Sequence, residues 1–175
     1  MTQIPGYYRA SARLVLLALA VSTVGCNYGF RGGGGFPSHV RTVFIAPFEN
    51  DTPQFDLDDL VVAALNEQLP RSLGVRLAGE NTADAIIRGR VTRYEDVAQN
   101  YRPGQAGTVE VLEHQVRITV SLTIVDVREN VILYESTAIS GSGEYRPDTQ
   151  SDEIARARAI ETLIQQIVDG AQSQW

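Results

Sequence analysis

Between Gln115 and Ile124 apolar and polar residues exchange at every step. Val116, Ile118, Val120, Leu122 and Ile124 alternate with Gln115, Arg117, Thr119, Ser121 and Thr123. Successive side chains of a strand point to opposite faces, so this segment buries one face and leaves the other in water. A sheet built on such a strand needs something to cover its dry face, and two helical patterns supply it. Leu57, Leu60, Val61, Ala64, Leu65 and Leu69 recur at helical spacing over Asp56 to Leu69, with Pro70 as the closing residue. Asp56, Asp58 and Asp59 crowd the start of this helix, where negative charge complements its dipole and caps its amides. Near the C-terminus Ala157, Ile160, Leu163, Ile164, Ile167, Val168 and Ala171 form a second stripe, and Thr149 with Asp152 has the spacing of a capping box.

Three more segments read as strands: Val40 to Pro47, Ala83 to Val97, and Val131 to about Ser140, where Ser140-Gly141-Ser142-Gly143 marks the strand's end. A polar connection from Gln99 to Gly107 precedes the alternating strand, and the turn Asp126-Val127-Arg128-Glu129-Asn130 follows it. The predicted order is β-α-β-β-β-α. It describes a single α+β domain, a four-stranded mainly antiparallel sheet with two helices packed on one face, over residues 39–175.

The N-terminus follows other rules. Arg9 and Arg13 precede the apolar run Leu14 to Val21, which is of signal-peptide length and too short to span a membrane. Ser22-Thr23-Val24-Gly25 then leads into Cys26, the chain's single cysteine. Small residues before a cysteine suit a narrow peptidase site, and the segment resembles the lipobox of bacterial lipoproteins, with Thr23 where leucine is usual. The reading is a signal peptide over residues 1–25 and lipid attachment at Cys26, a covalent diacylglycerol plus an N-acyl chain. Each buried methylene contributes about 0.8 kcal/mol, so two or three chains anchor durably where one is marginal. Residues 26–38 hold four consecutive glycines, Gly32 to Gly35, and read as a tether. Asn27 after the cysteine, by resemblance to lipoprotein sorting, implies the outer membrane.

Composition narrows the chemistry. The net charge is −6, and removal of Arg9 and Arg13 with the signal peptide takes it to −8. That balance disfavours broad nucleic-acid binding, which depends on neutralising phosphates. A lone cysteine makes no internal disulfide. No nucleophile elbow, zinc-ligand spacing or dinucleotide fingerprint occurs, and the glycine run lacks the lysine of a phosphate loop. His39 and His114 read as solvated or hydrogen-bonded residues, and Glu110 and Glu113, three apart on a strand, face oppositely and make a poor acid/base pair. Neither a catalytic residue, a resident cofactor nor a metal site is expected.

Short motifs in a particular order add a family. Cys26-Asn27-Tyr28-Gly29-Phe30-Arg31-Gly32, Pro37, Val43 to Thr52 (Val-Phe-Ile-Ala-Pro-Phe-Glu-Asn-Asp-Thr) and Ala83 to Gly89 (Ala-Asp-Ala-Ile-Ile-Arg-Gly) resemble the lipopolysaccharide-assembly lipoprotein family, LptE. Asp126 to Glu135, an aspartate turn and then a strand, fits it as well. The resemblance implies an outer-membrane lipoprotein that plugs the LptD barrel translocon, helps it assemble and contacts lipopolysaccharide. The competing resemblance is to lipoprotein activators of penicillin-binding proteins, which share the Phe48, Asn50, Thr52 turn. Those carry long linkers, whereas about a dozen residues here span at most some 40 Å at about 3.3–3.6 Å each. For an anionic lipid A headgroup, the candidate contacts are Arg88 and Arg90, two apart on one strand face, and Arg117 on the wet side of the alternating strand. Arg93 would face oppositely to Arg88 and Arg90 unless a bulge intervenes.

Overall fold

Eight elements follow one another along the residues that the computed structural model describes, 36–103 and 109–174. They are β1 (Thr42–Ile45), β2 (Glu49–Asn50), α1 (Leu57–Leu73), β3 (Arg76–Leu77), β4 (Ala85–Pro103), β5 (Val109–Asp126), β6 (Val131–Tyr145) and α2 (Asp152–Ser173). The signal peptide, Cys26 and most of the tether lie outside the described residues.

The sheet has six strands, not four. Its order is β3-β1-β4-β5-β6, with β2 also pairing β4. Strands β1, β2 and β3 make only parallel pairs, with β1 between β3 and β4, while β4, β5 and β6 form an antiparallel meander. The two extra strands are two residues each, too short to show a period in sequence. The α+β class and the two helices stand as expected, in a mixed sheet.

One face of this sheet carries the core. Val43 and Ile45 of β1, Ala85, Ile87 and Val91 of β4, and Val116 to Ile124 at alternate positions of β5 are all buried. Leu57, Val61, Leu65, Leu69 and Leu73 of α1 and Ala155, Ala159, Leu163, Ile164 and Ile167 of α2 close over them in one cluster. Both helices lie on that face. Leu60, expected within the stripe, stands 41% exposed, and Ala157 is exposed too.

Helix α1 runs through Pro70 to Leu73 and ends at Gly74, whose left-handed φ of 67° caps it. Proline in the last turn costs about 3 kcal/mol. Burial of Leu73 and Val75 beyond it contributes about 1.5–3 kcal/mol each, enough to carry the helix past the proline. Asp56 occupies the N-cap without a side-chain cap bond, and its carboxylate instead faces Arg156 of α2 at 3.5 Å. The capping box on α2 is likewise absent. Ser151 is the N-cap and makes no side-chain bond, while the Thr149 hydroxyl turns to Asp148.

Two strands are longer than their sequence pattern. Residues 99–103, read as a polar connection, continue β4 and pair with β5 out to Pro103 and Val109. Residues 99–102 are all exposed, so no alternation of buried and wet positions develops. The Ser140–Gly143 segment is strand interior, not strand end. A Cβ on Gly141 would stand 2.0 Å from the Ala159 carbonyl oxygen, and one on Gly143 would stand 2.2 Å from that of Ala155. The glycines let the α2 backbone lie directly on β6, and buried Ala155 and Ala159 face them.

Candidate functional site on the uncovered sheet face and its edge

The polar positions of β4 and β5 assemble a single surface opposite the helices. In register across the hairpin stand Arg88 with Thr123, Arg90 with Ser121, Arg93 with Thr119 and Glu95 with Arg117. A bulge at Thr92 shifts the register between Val91 and Arg93, and the shift returns Arg93 to the side of Arg88 and Arg90. Arg88, Arg90, Arg93 and Arg117 thus share one exposed face.

They are not equally free. Arg90 is held between Glu49, in close contact, and Asp51 at 3.1 Å, both brought alongside by the parallel pairing of β2 with β4. These carboxylates, Asp51 foremost, push the Arg90 guanidinium's pKa up from its ordinary value. Arg93 approaches Glu95 at 3.5 Å, and Arg117 donates to Gln115 at 3.2 Å. Arg88 makes no ion pair among the described residues. Of the three sequence-named arginines, Arg88 and Arg117 stay available, and Arg90 is engaged within the fold.

Next to the arginines, the same face carries an apolar row. Phe44 pairs with Ile86, Ile86 with Val125, and Val125 with Ile132, one from each of four adjacent strands. Ile132 is 56% exposed and the other three are half-buried. Two residues further along β4, on the same face as Ile86, is Arg88. The surface therefore offers apolar contact and guanidinium side by side, a pairing that suits an amphiphile.

At the sheet end near β1, the backbone gathers residues distant in sequence. The Asp126 carboxylate, fully buried, accepts from the Arg128 amide at 2.8 Å and the Glu129 amide at 3.0 Å, and its second oxygen contacts His39 Nε2. Burial alone would raise its pKa, but the two amides and the imidazole outweigh that and leave it lowered. Glu129 stands 3.8 Å from the same imidazole nitrogen, so His39, Asp126 and Glu129 gather three metal-type ligand atoms within 4.8 Å of one another. Asp84 accepts from the Arg41 amide, the Thr42 amide and the Thr42 hydroxyl, at 3.0, 3.0 and 2.8 Å. The Arg41 amide first and the Thr42 hydroxyl next lower its pKa.

The sign of the resulting pH dependence follows from both depressions. Each carboxylate contributes stability in full above its ordinary value of 3.8 and loses it as pH falls through the lower folded value. Thermal unfolding followed by circular dichroism should show a steep acid limb below about pH 4, flattened in Asp126→Asn. An unchanged limb in that variant would separate Asp126 from acid stability.

His114, expected to be solvated or hydrogen-bonded, meets Asp96 at 2.8 Å, and Asp96 also accepts from the Tyr145 hydroxyl at 2.9 Å. Burial first and this carboxylate second push the Tyr145 phenol up to about 12. On the helix side a groove of about 530 Å³ runs between α1 and α2, floored by Leu60, Ala64 and Ile160, with Asp56, Glu153 and Glu161 at its rim. Phe55, just before α1, is 96% exposed.

Among the described residues this geometry forms a sheet-and-helix domain with one face covered by helices and one open, polar face. The chain belongs to the LptE lipopolysaccharide-assembly family, whose model matches residues 40–170. A search of curated proteins finds no match. Among solved structures, the hypothetical protein CT253 of Chlamydia trachomatis shares the fold, with a TM-score of 0.54 at 12% identity over 77% of this chain and 96% of that one. The PelC dodecamer of Paraburkholderia phytofirmans aligns at a TM-score of 0.49 and 15% identity, over 80% and 89% of the two chains. Lipoprotein GNA1162 of Neisseria meningitidis aligns at 0.45 and 13%, over 74% and 99%.

Proposed function

We propose that this protein is a lipid-anchored component of lipopolysaccharide assembly at the outer membrane, seated in an LptD-like β-barrel that it helps to assemble. It is a binding and assembly protein, not an enzyme. The family match across nearly the whole described domain carries this reading. The exposed face supports it: a barrel lumen is polar, and threonine, serine and arginine dominate the uncovered side of β4 and β5. Phe55, Leu60 and Ile132, all strongly exposed, suit burial against a protein wall.

Lipopolysaccharide contact belongs, in this reading, to Arg88 and Arg117, with Arg90 as a lesser contributor because Glu49 and Asp51 already neutralise it. A guanidinium–phosphate hydrogen bond contributes about 1.5–3 kcal/mol. Arg88→Glu with Arg117→Glu should therefore weaken lipopolysaccharide binding by more than tenfold, at unchanged melting temperature, in a direct titration. Arg90→Gln alone should weaken it less. Equal affinity of the double variant and the parent would take this face out of lipopolysaccharide recognition.

A further inference from the structure

A second cationic site lies at the sheet end, apart from the arginines of the open face. His39, Arg41, Thr42, Arg76, Asp84 and Arg128 line a cleft of about 460 Å³. Its arginines come from three separate places: the lead-in to β1, strand β3 and the β5–β6 turn. Main-chain bonds fix them relative to one another. The Arg76 amide donates to the Arg41 carbonyl at 3.0 Å, Asp84 to Thr42 at 3.0 Å, and Val127 to Asp84 at 2.8 Å.

The charges in the cleft are unbalanced. Asp84 is its one carboxylate, and one oxygen of Asp84 is saturated by three donors from Arg41 and Thr42. The other oxygen is 3.8 Å from Arg128, and Arg41 and Arg76 form no ion pair among the described residues. Three guanidinium groups line the cleft, while Asp84 is occupied by donors and the neighbouring Asp126 by two amides and His39, with Glu129 3.8 Å from that imidazole; the unpaired Arg41 and Arg76 make this a local anion site in a chain of net charge −6. Arginine's planar fork suits phosphate oxygens.

The place of the cleft suggests which phosphate. His39 and Arg41 are the first residues of the domain after the tether, and thirteen positions separate His39 from Cys26. At about 3.3–3.6 Å per residue, thirteen residues span at most some 45 Å. With lipid on Cys26, the cleft is held near the leaflet that carries the anchor. Anionic leaflets attract basic clusters close to the attachment point.

We propose that the Arg41–Arg76–Arg128 cleft binds phosphate groups of anionic glycerophospholipids in that leaflet and turns this end of the sheet toward the membrane. The proposal rests on lipid attachment at Cys26 for its geometry, and its test does not use the lipid. Mature-length protein carrying Cys26→Ser is mixed with vesicles of phosphatidylglycerol in phosphatidylcholine, or of phosphatidylcholine alone, and partition is measured by co-sedimentation.

Binding should require phosphatidylglycerol and weaken with salt. Each of Arg41→Gln, Arg76→Gln and Arg128→Gln should lower the partition coefficient about fivefold, and the triple variant about a hundredfold. The corresponding triple lysine variant should retain most of the binding, which separates charge from misfolding. Partition of the triple glutamine variant equal to the parent overturns the proposal, as does complete competition by millimolar inorganic phosphate, which would make this a free-phosphate pocket. Loss of lipopolysaccharide binding in the triple variant with vesicle binding intact overturns it too. Barrel association of the triple variant reports separately on the assembly role.

Discussion

Replacing Gly141 by alanine should destabilise the domain by about 3 kcal/mol or more, at the top of the range for overpacking. The new Cβ would meet the Ala159 carbonyl oxygen at 2.0 Å and the Leu163 amide nitrogen at 2.6 Å. Both are main-chain atoms in the middle of α2, so relief requires lifting the helix from the sheet. That movement would uncover Leu163, Ile164 and Ile167, none of which is exposed in the native fold. Gly170 provides the comparison, because its Cβ would meet the Tyr134 hydroxyl at 2.2 Å and two ring carbons at 2.7 and 3.0 Å, all on one side chain and none on the main chain. Gly170→Ala should cost about 1 kcal/mol or less. For a domain of this size, 3 kcal/mol lowers the melting temperature by about 6–12 °C. Equal, small effects at both glycines would mean that α2 does not rest on β6 through its backbone.

The second large effect concerns Cys26. If lipid is attached there, Cys26→Ala removes the anchor altogether, and the protein should leave the membrane fraction unless its partner retains it. At about 0.8 kcal/mol per buried methylene, two acyl chains exceed anything the exposed apolar residues could supply. Intact-mass analysis of the wild type should give the mass of residues 26–175 plus diacylglyceryl and N-acyl groups. Wild-type protein without acyl mass, or a Cys26→Ala variant that still carries it, would refute the anchor.

The parts of this fold that could be read in sequence are those where one face is buried and the other is not. The alternation from Gln115 to Ile124 survives intact in β5, and the leucine spacing of α1 marks its buried face, apart from Leu60. Where both faces are wet, as in residues 99–102, the strand carries no period and passes for a loop. Strands β2 and β3 are products of tertiary pairing, since two residues cannot encode a preference. Pro70 and the glycines of β6 mislead for one shared reason. Local propensity weighs them as breakers, while core burial on either side of Pro70 and backbone contact at Gly141 and Gly143 decide the outcome.

The candidate sites were legible to the same extent. Arg88 and Arg90 share a face because a strand makes them do so, but their unequal freedom depends on Glu49 and Asp51, brought beside Arg90 by β2. Arg93 joins them through the bulge at Thr92, whose position follows from pairing with β5. The cleft at the sheet end was invisible because Arg41, Arg76 and Arg128 meet only through the β1–β3 pairing and the β5–β6 turn. Phe44, Ile86, Val125 and Ile132 form a row for the same reason, with a single residue drawn from each of four strands.

Association with an outer-membrane barrel is tested by isolating the tagged protein's mature product from detergent-solubilised outer membrane. A stable complex with a large β-barrel, carrying lipopolysaccharide, should be recovered, and that barrel should misassemble when this protein is depleted. Recovery of the lipoprotein alone, or with a peptidoglycan synthase in place of the barrel, together with normal barrel assembly on depletion, would contradict it.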